Sequence, residues 1–185
     1  IVDSSVPMAV CMDITVSLDS DGNYTLTGEE LDGGSSAACG EDLEFSVDPS
    51  SFTCDSTGAN IVVLTVTASG GGSDTCEATV TVVDNENPTI SCEPDFTVSL
   101  SGEMAMITAM DIIMSSDDNC SILSSSIDMS VFDCDDDGMT FTVTATVTDP
   151  SGNTNTCTTN VTVDDDEAPS CTLLPDLTFA PNMMI

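Results

Sequence analysis

The chain has 185 residues, 33 of them acidic, and contains no Lys, Arg or His. That composition excludes a phosphate clamp and an electrostatic grip on nucleic acid, a cationic membrane anchor, and histidine as a base or metal ligand. Carboxylates, hydroxyls, amides and sulfur remain, a set suited to hard cations held through oxygen.

A chain this negative repels itself when compact, so bound cations, crosslinks or high salt relieve a cost. Hydrophobic residues make up 40% and aromatic residues 4%, with no Trp and one Tyr. Any core is therefore built from Val, Ile, Leu, Met and Ala, with Met-rich stretches such as "MDIIM" at 110–114 and "NMMI" at 182–185 read as core filler. No run reaches the roughly 18 apolar residues of a membrane span. The chain lacks a starting Met and a recognisable leader, so it reads as a mature piece or an excerpt.

In chain order, a first strand is expected at 13–18, "DITVSL", and a second at 23–27, "NYTLT". The segment "GEEL" at 28–31 has room for one helical turn at most. A strand follows at 43–47. Then "NIVVLTVTA" at 60–68 and "EATVTVV" at 77–83 alternate apolar and polar residues, the period of a half-buried strand. They flank "SGGGSD", a run of turn formers. After "VVDNENPTISC" at 82–92 the pattern restarts with "DFTVSL" at 95–100 and "MAMITA" at 104–109. It closes with "TFTVTATVT" at 140–148, the turn "DPSGNT", and "TNVTV" at 159–163. Some seven short strands in about 80 residues imply an all-β fold, a β-sandwich of immunoglobulin type.

The restart is a repeat. Pro7, Pro88 and Pro169 are spaced by 81 residues, as are Asp3, Asp84 and Asp165. Cys39 matches Cys120 and Cys76 matches Cys157 at the same interval, while Cys54 and Cys134 are 80 apart. The expected organisation is the tail of one unit at 1–6, complete units at 7–87 and 88–168, and the head of another at 169–185. Units of this length suit independently folded beads on a string.

Nine cysteines fall as four per complete unit plus Cys171. Even numbers at repeated spacings imply disulfides and an oxidising, extracellular compartment. The lack of His and of any CxxC pair argues against a zinc or iron–sulfur site. Four cysteines permit three connectivities. The preferred one joins Cys11 to Cys76 and Cys39 to Cys54, and likewise Cys92 to Cys157 and Cys120 to Cys134. The outer pair would tie the first strand to the last, and the inner pair would close a short excursion.

The stretches "NPTISCEPDFTVSL", "SSDDNCS", "VFDCDD", "TVTDPSGNTNTCTTNVTV" and "VVDNENPTI" resemble the hyalin-type repeats of long bacterial surface proteins. They are most similar to the cysteine-bearing repeats of giant adhesins and gliding-motility filaments of Bacteroidota. The resemblance spans essentially the whole chain. It implies immunoglobulin-like beads in tandem, secretion, and an adhesive or structural role without catalysis. In the first unit, the motif's Asp149 and Asn153 are replaced by Ala68 and Gly72.

Candidate sites follow from chemistry. Asp84, Asn85 and Glu86 at one seam, and Asp165, Asp166 and Glu167 at the next, offer oxygen ligands beside a stiffening proline. Calcium bridging neighbouring beads is the expectation there, with Asp149 and Asn153 of the "DPSGN" turn as further ligands. A second acidic cluster is "DDDG" at 135–138 with "SSDDNC" at 115–120. Asn23, Asn119 and Asn160 lie in N-x-[ST] triplets, and Ser56 in "DST" fits an O-glycosylation pattern by the same resemblance. Two function classes compete: a stalk or filament segment whose partners are neighbouring repeats and copies of itself, and a glycan- or protein-binding module. The scarcity of aromatic anchors favours the first.

Overall fold

The computed structural model describes residues 6–166. Two β-sandwiches follow one another along the chain, each with its own hydrophobic cluster. They are tandem immunoglobulin-like sandwiches, here units 1 and 2.

Unit 1 contains β1 (Ile14–Ser17), β2 (Asn23–Thr25), β3 (Leu43–Asp48), β4 (Ser51–Thr53), β5 (Gly58–Ala68) and β6 (Ser73–Val83). One sheet runs β1-β6-β5-β3, and β2 pairs with β4 in the other. Unit 2 contains β7 (Thr89–Cys92), β8 (Phe96–Ser99), β9 (Met104–Met106), β10 (Ile113–Asp117), β11 (Ser124–Ile127), β12 (Val131–Asp133), β13 (Thr140–Thr148) and β14 (Thr154–Asp164). Its larger sheet runs β11-β13-β14-β8, with β10-β7 and β12-β9 as two-stranded pairs.

The alternation expected from sequence is what forms the cores. Along β13, Val143, Ala145 and Val147 are wholly buried while the threonines between them face outward. In unit 1, Val62, Leu64 and Val66 of β5 meet Ala78, Val80 and Val82 of β6 in the same cluster. One phenylalanine anchors each smaller sheet, Phe52 in unit 1 and Phe132 in unit 2, and Phe132 tilts against Phe141 with centroids 5.5 Å apart.

The first long-sheet strand of each unit runs parallel to the last, β1 with β6 and β8 with β14. This covers an edge that would otherwise offer open backbone groups. A carboxylate fastens it: Asp13 Oδ1 accepts from the Thr79 amide at 2.7 Å, and Asp95 Oδ1 from the Asn160 amide at 3.0 Å. The Asn160 side chain and amide together hold the Asp95 carboxyl below its ordinary range.

Disulfides join Cys11 to Cys76 and Cys92 to Cys157, with Cα atoms 5.8 and 5.7 Å apart. Each ties the segment before the first long-sheet strand to the last strand, as expected. The inner pairing differs. Cys54 is bonded not to Cys39 but to Cys120, with Cα atoms 5.3 Å apart, and Cys134 is an exposed free thiol. The short spacing between Cys120 and Cys134 misleads because the two stand at opposite poles of unit 2. Cys120 follows β10 beside Asp118 and Asn119, near the seam, whereas Cys134 follows β12 beside Glu103. The excursion therefore reaches across to the neighbouring unit rather than closing within its own.

The "MDIIM" segment also departs from expectation. A helical turn α2 (Ala109–Ile112) runs into β10, burying Ile112 completely but leaving Met110 and Met114 exposed. Helical spacing puts the isoleucine, not the methionines, over the core. In unit 1 the equivalent turn α1 (Gly28–Leu31) buries Leu31 the same way. Cys171 and the "NMMI" segment lie outside the described residues.

Candidate metal centre

The seam begins where β6 ends. Asp84 follows Val83 directly and is 5% exposed. Two loops of unit 2 meet it. The first, after β10, brings Asp118 and Asn119; the second, between β13 and β14, brings Asp149 and Asn153. One carboxylate oxygen each from Asp84, Asp118 and Asp149 lie within 4.8 Å of one another. Asp149 is wholly buried and Asp118 half-buried.

A network of amides sets this geometry. The Asn153 side-chain amide donates to the Asp84 carbonyl at 3.1 Å and to Asp149 Oδ2 at 2.8 Å. Its backbone N–H donates to Asp149 Oδ1 at 2.8 Å. The Asn119 amide donates to Asp84 Oδ1 at 3.2 Å and to the Asp19 carbonyl of unit 1 at 3.0 Å. Asn155 adds a bond to the Pro88 carbonyl at 2.9 Å. Junction, unit 1 and unit 2 are thus stitched by polar groups as well as by the Cys54–Cys120 bond.

Three oxygens stay outside that network. Asp84 Oδ2, Asp118 Oδ1 and Asn119 Oδ1 are buried, and no donor among the described residues reaches them. Buried oxygens without donors are costly, and clustered carboxylates more so. Ordinarily a Lys or Arg would resolve this, but the chain contains none. Only a proton or a metal ion can neutralise the group. A set made of carboxylate and amide oxygen, without thiolate or imidazole, suits calcium, which takes six to eight oxygens. Asp84, Asp118 and Asp149 would hold it, with Asn119 Oδ1 as a fourth donor. Water has access through a neighbouring cleft lined by Ser20, Glu86, Asp117 and Asp118.

Of the residues singled out from sequence, Asp84, Asp149 and Asn153 converge here. Asn85 does not; its amide turns back to Ser17 Oγ of β1 at 3.0 Å. Glu86 is exposed and contributes its backbone N–H to Asp84 Oδ1 at 3.2 Å. Asp165 and Asp166 lie at the far pole of unit 2, where the Asp165 N–H donates to Asp137 Oδ1 at 3.0 Å. There the charge of Asp166 above all, with burial and the charges of Asp137 and Asp165, raises the Asp164 pKa. Glu167 is outside the described residues.

Asp118 and Asn119 were grouped by sequence with "DDDG" at 135–138. The structure separates the two stretches to opposite poles of unit 2. A signal for the correct grouping does exist in the repeat. At the 81-residue interval Asp118, Asn119, Asp149 and Asn153 correspond to Ala37, Ala38, Ala68 and Gly72. All four change together, as members of one site would.

The seam also needs Gly22. Its φ is +73°, and an added Cβ would lie 2.7 Å from both the Asn119 carbonyl oxygen and Cys54 Sγ. Gly102 holds the corresponding turn in unit 2 at φ +74° with open space around it. Gly102→Ala is expected to cost only the left-handed backbone penalty, about 1–2 kcal/mol. Gly22→Ala should cost about 3 kcal/mol, the excess being the clash at the seam; paired thermal melts measure the difference.

Of the glycosylation candidates, Asn23 is exposed in β2 with its amide on the Asp21 carbonyl. Ser56 is half-buried, and its hydroxyl accepts from the Thr53 N–H at 3.3 Å. The Asn160 side chain is held by Asp95 and Thr142. A sugar on Asn119 would have to break its bonds at the seam.

No family profile and no curated protein sequence matches the chain. Among solved structures, Drosophila N-cadherin EC1-4 is similar over 88% of this chain and 50% of its own, at 11% identity and TM-score 0.42. Sidekick-1 immunoglobulin domains 1-4 are similar over 86% and 49%, at 13% identity and TM-score 0.45. Human mucin-like protocadherin EC1-2 is similar over 83% and 96%, at 13% identity and TM-score 0.40. The chain spans about half the length of the first two. At these identities and TM-scores the likeness carries no functional assignment.

Proposed function

We propose that this chain is a segment of an extracellular stalk or filament, in which immunoglobulin-like units are held end to end by a disulfide and by calcium. The observation that carries the reading is the Cys54–Cys120 bond, which crosses from one unit to the next beside three clustered carboxylates. A flexible tether needs neither feature. A seam built to keep two beads in a fixed relation uses both. Three disulfides among the described residues support an oxidising compartment outside the cytosol. The resemblance to hyalin-type surface repeats points the same way.

In this role the units carry load and set distance. The disulfide limits how far the beads can part. Calcium would draw Asp84 of the junction against the two loops of unit 2, converting repulsion into attraction. Isothermal titration and small-angle scattering on the disulfide-intact chain test this. One calcium ion should bind per chain, with a longer, less variable particle in calcium than in chelator. Absence of both binding and dimensional change would remove calcium from the proposal.

A further inference from the structure

Cys134 is free and exposed, yet its setting matches that of Cys54. Each opens a three-residue 3-10 turn after a three-residue strand, Cys54–Ser56 after β4 and Cys134–Asp136 after β12. The preceding residues share one backbone conformation, φ −132° and ψ −177° at Thr53 against φ −129° and ψ −177° at Asp133. In both turns the third side chain reaches back, Ser56 Oγ to the Thr53 N–H and Asp136 Oδ2 to the Asp133 N–H. Each sulfur lies beside a carbonyl of the turn between the unit's first long-sheet strand and its next strand, 3.8 Å from Gly22 O and 3.6 Å from Glu103 O. The two sulfurs are presented alike at the far poles of their units, and the one in unit 1 is bonded to Cys120.

The receiving position repeats as well. Cys39 precedes Cys120 by 81 residues and lies in the short turn Ala38–Gly40. Around it, the cation-site residues of unit 2 are replaced by alanine and glycine, but the cysteine is kept.

We propose that Cys134 is the attachment point for a further immunoglobulin-like unit: it bonds a cysteine at the Cys120 position of the unit docked on the far pole of unit 2. By its place in the repeat, Cys39 receives such a bond on unit 1. The array is then a covalent ladder, with one rung per seam beside the peptide backbone. The rung is independent of the cation site, because the leading end of unit 1 keeps the cysteine without the two loop carboxylates. This rests on the array reading of the chain but not on calcium.

The chemistry balances with a disulfide oxidant, either a small molecule or an oxidoreductase. The Cys134 thiolate attacks the oxidant and expels one thiolate. The partner thiolate then attacks Cys134 Sγ in the mixed disulfide and expels the second, so two thiols are oxidised and one disulfide is reduced. Desolvation, with the charges of Asp165, Glu103, Asp133 and Asp135, raises the Cys134 pKa.

A tandem duplicate tests the idea. Residues 1–168 joined directly to residues 7–185 place Pro7 of the second copy where Pro169 stood and keep the repeat. After oxidation with glutathione, the product is alkylated without reduction and mapped by peptide mass spectrometry. With Cys134→Ser in the second copy, so that a single Cys134 remains, the first-copy Cys134 should be linked to the second-copy Cys39 and alkylated at least about tenfold less than in the single chain, since tethering brings the thiols to millimolar effective concentration. Cys39→Ser in the second copy should restore alkylation. Intact Cys11–Cys76 and Cys54–Cys120 bonds in the same map certify folding. With those formed, a first-copy Cys134 that stays fully alkylated, or pairs elsewhere, overturns the ladder while leaving the calcium reading untouched.

Discussion

Removing the Cys92–Cys157 bond by paired Cys92→Ala and Cys157→Ala substitutions is expected to lower the melting temperature of unit 2 by about 15–30 °C. The bond closes a separation of 65 residues. In the chain-entropy account a loop of that size is worth about 4 kcal/mol. Small domains hold a net stability of only about 5–15 kcal/mol, and one of this size shifts by about 4–8 °C per kcal/mol. Unit 2 has little to spare. Its buried cluster contains a single large aromatic, Phe132, and several methionines stay exposed. Alanine at both positions avoids leaving an unpaired thiol. Calorimetry on the variant should show unit 2 melting separately and early; a loss below about 1 kcal/mol would mean that the core, not the crosslink, carries the fold.

The effect of Asp118→Asn on stability is expected to depend on calcium. In chelator it removes one of three carboxylates whose oxygens lie within 4.8 Å. At an effective dielectric near 20, each such pair repels by about 3 kcal/mol, so the variant should melt higher than the parent. In calcium the same change removes a ligand. Saturation at about 100 times the dissociation constant stabilises a protein by about 2.7 kcal/mol, and extracellular modules bind calcium at roughly 0.1–1 mM. At about 10 mM calcium the parent should therefore gain about 1.3 kcal/mol more than the variant, whose affinity should fall at least about tenfold, so the variant's melting advantage should narrow. Paired melts in the two buffers decide it. A variant that is less stable than the parent in both, by the same amount, would show that Asp118 serves a structural hydrogen bond alone.

Much of the fold was legible along the chain. Val143, Ala145 and Val147 alternate with threonines, and that period alone places them on the buried face of β13. The bond from Cys11 to Cys76 was legible too, because it ties the segment leading into the first long-sheet strand to the last strand, and those two strands pair. The carboxylate cluster at the seam was half legible. Asp84 and Asp149 announced themselves by acidity and turn chemistry, but Asp118 was assigned to the wrong companions. Its neighbours in sequence, "SSDDNC", say nothing about which pole of the unit they occupy. Asn85 misled for a related reason: adjacency to Asp84 in an extended junction sends its side chain to the opposite side, toward Ser17.

The sequence by itself carried the 81-residue spacing of its prolines and aspartates, the strand alternation, a preference for the outer disulfides and the lack of any Lys, Arg or His to offset its acidic groups. All of these are local or periodic properties, and they hold for each unit considered alone. Tertiary structure decided the inner cysteine pairing and the convergence of Asp84, Asp118 and Asp149. Both depend on how one unit is set against the next, a relation that leaves no period in the sequence. Two cysteines 14 residues apart stand at opposite poles of one sandwich, while two that are 66 apart meet across a seam.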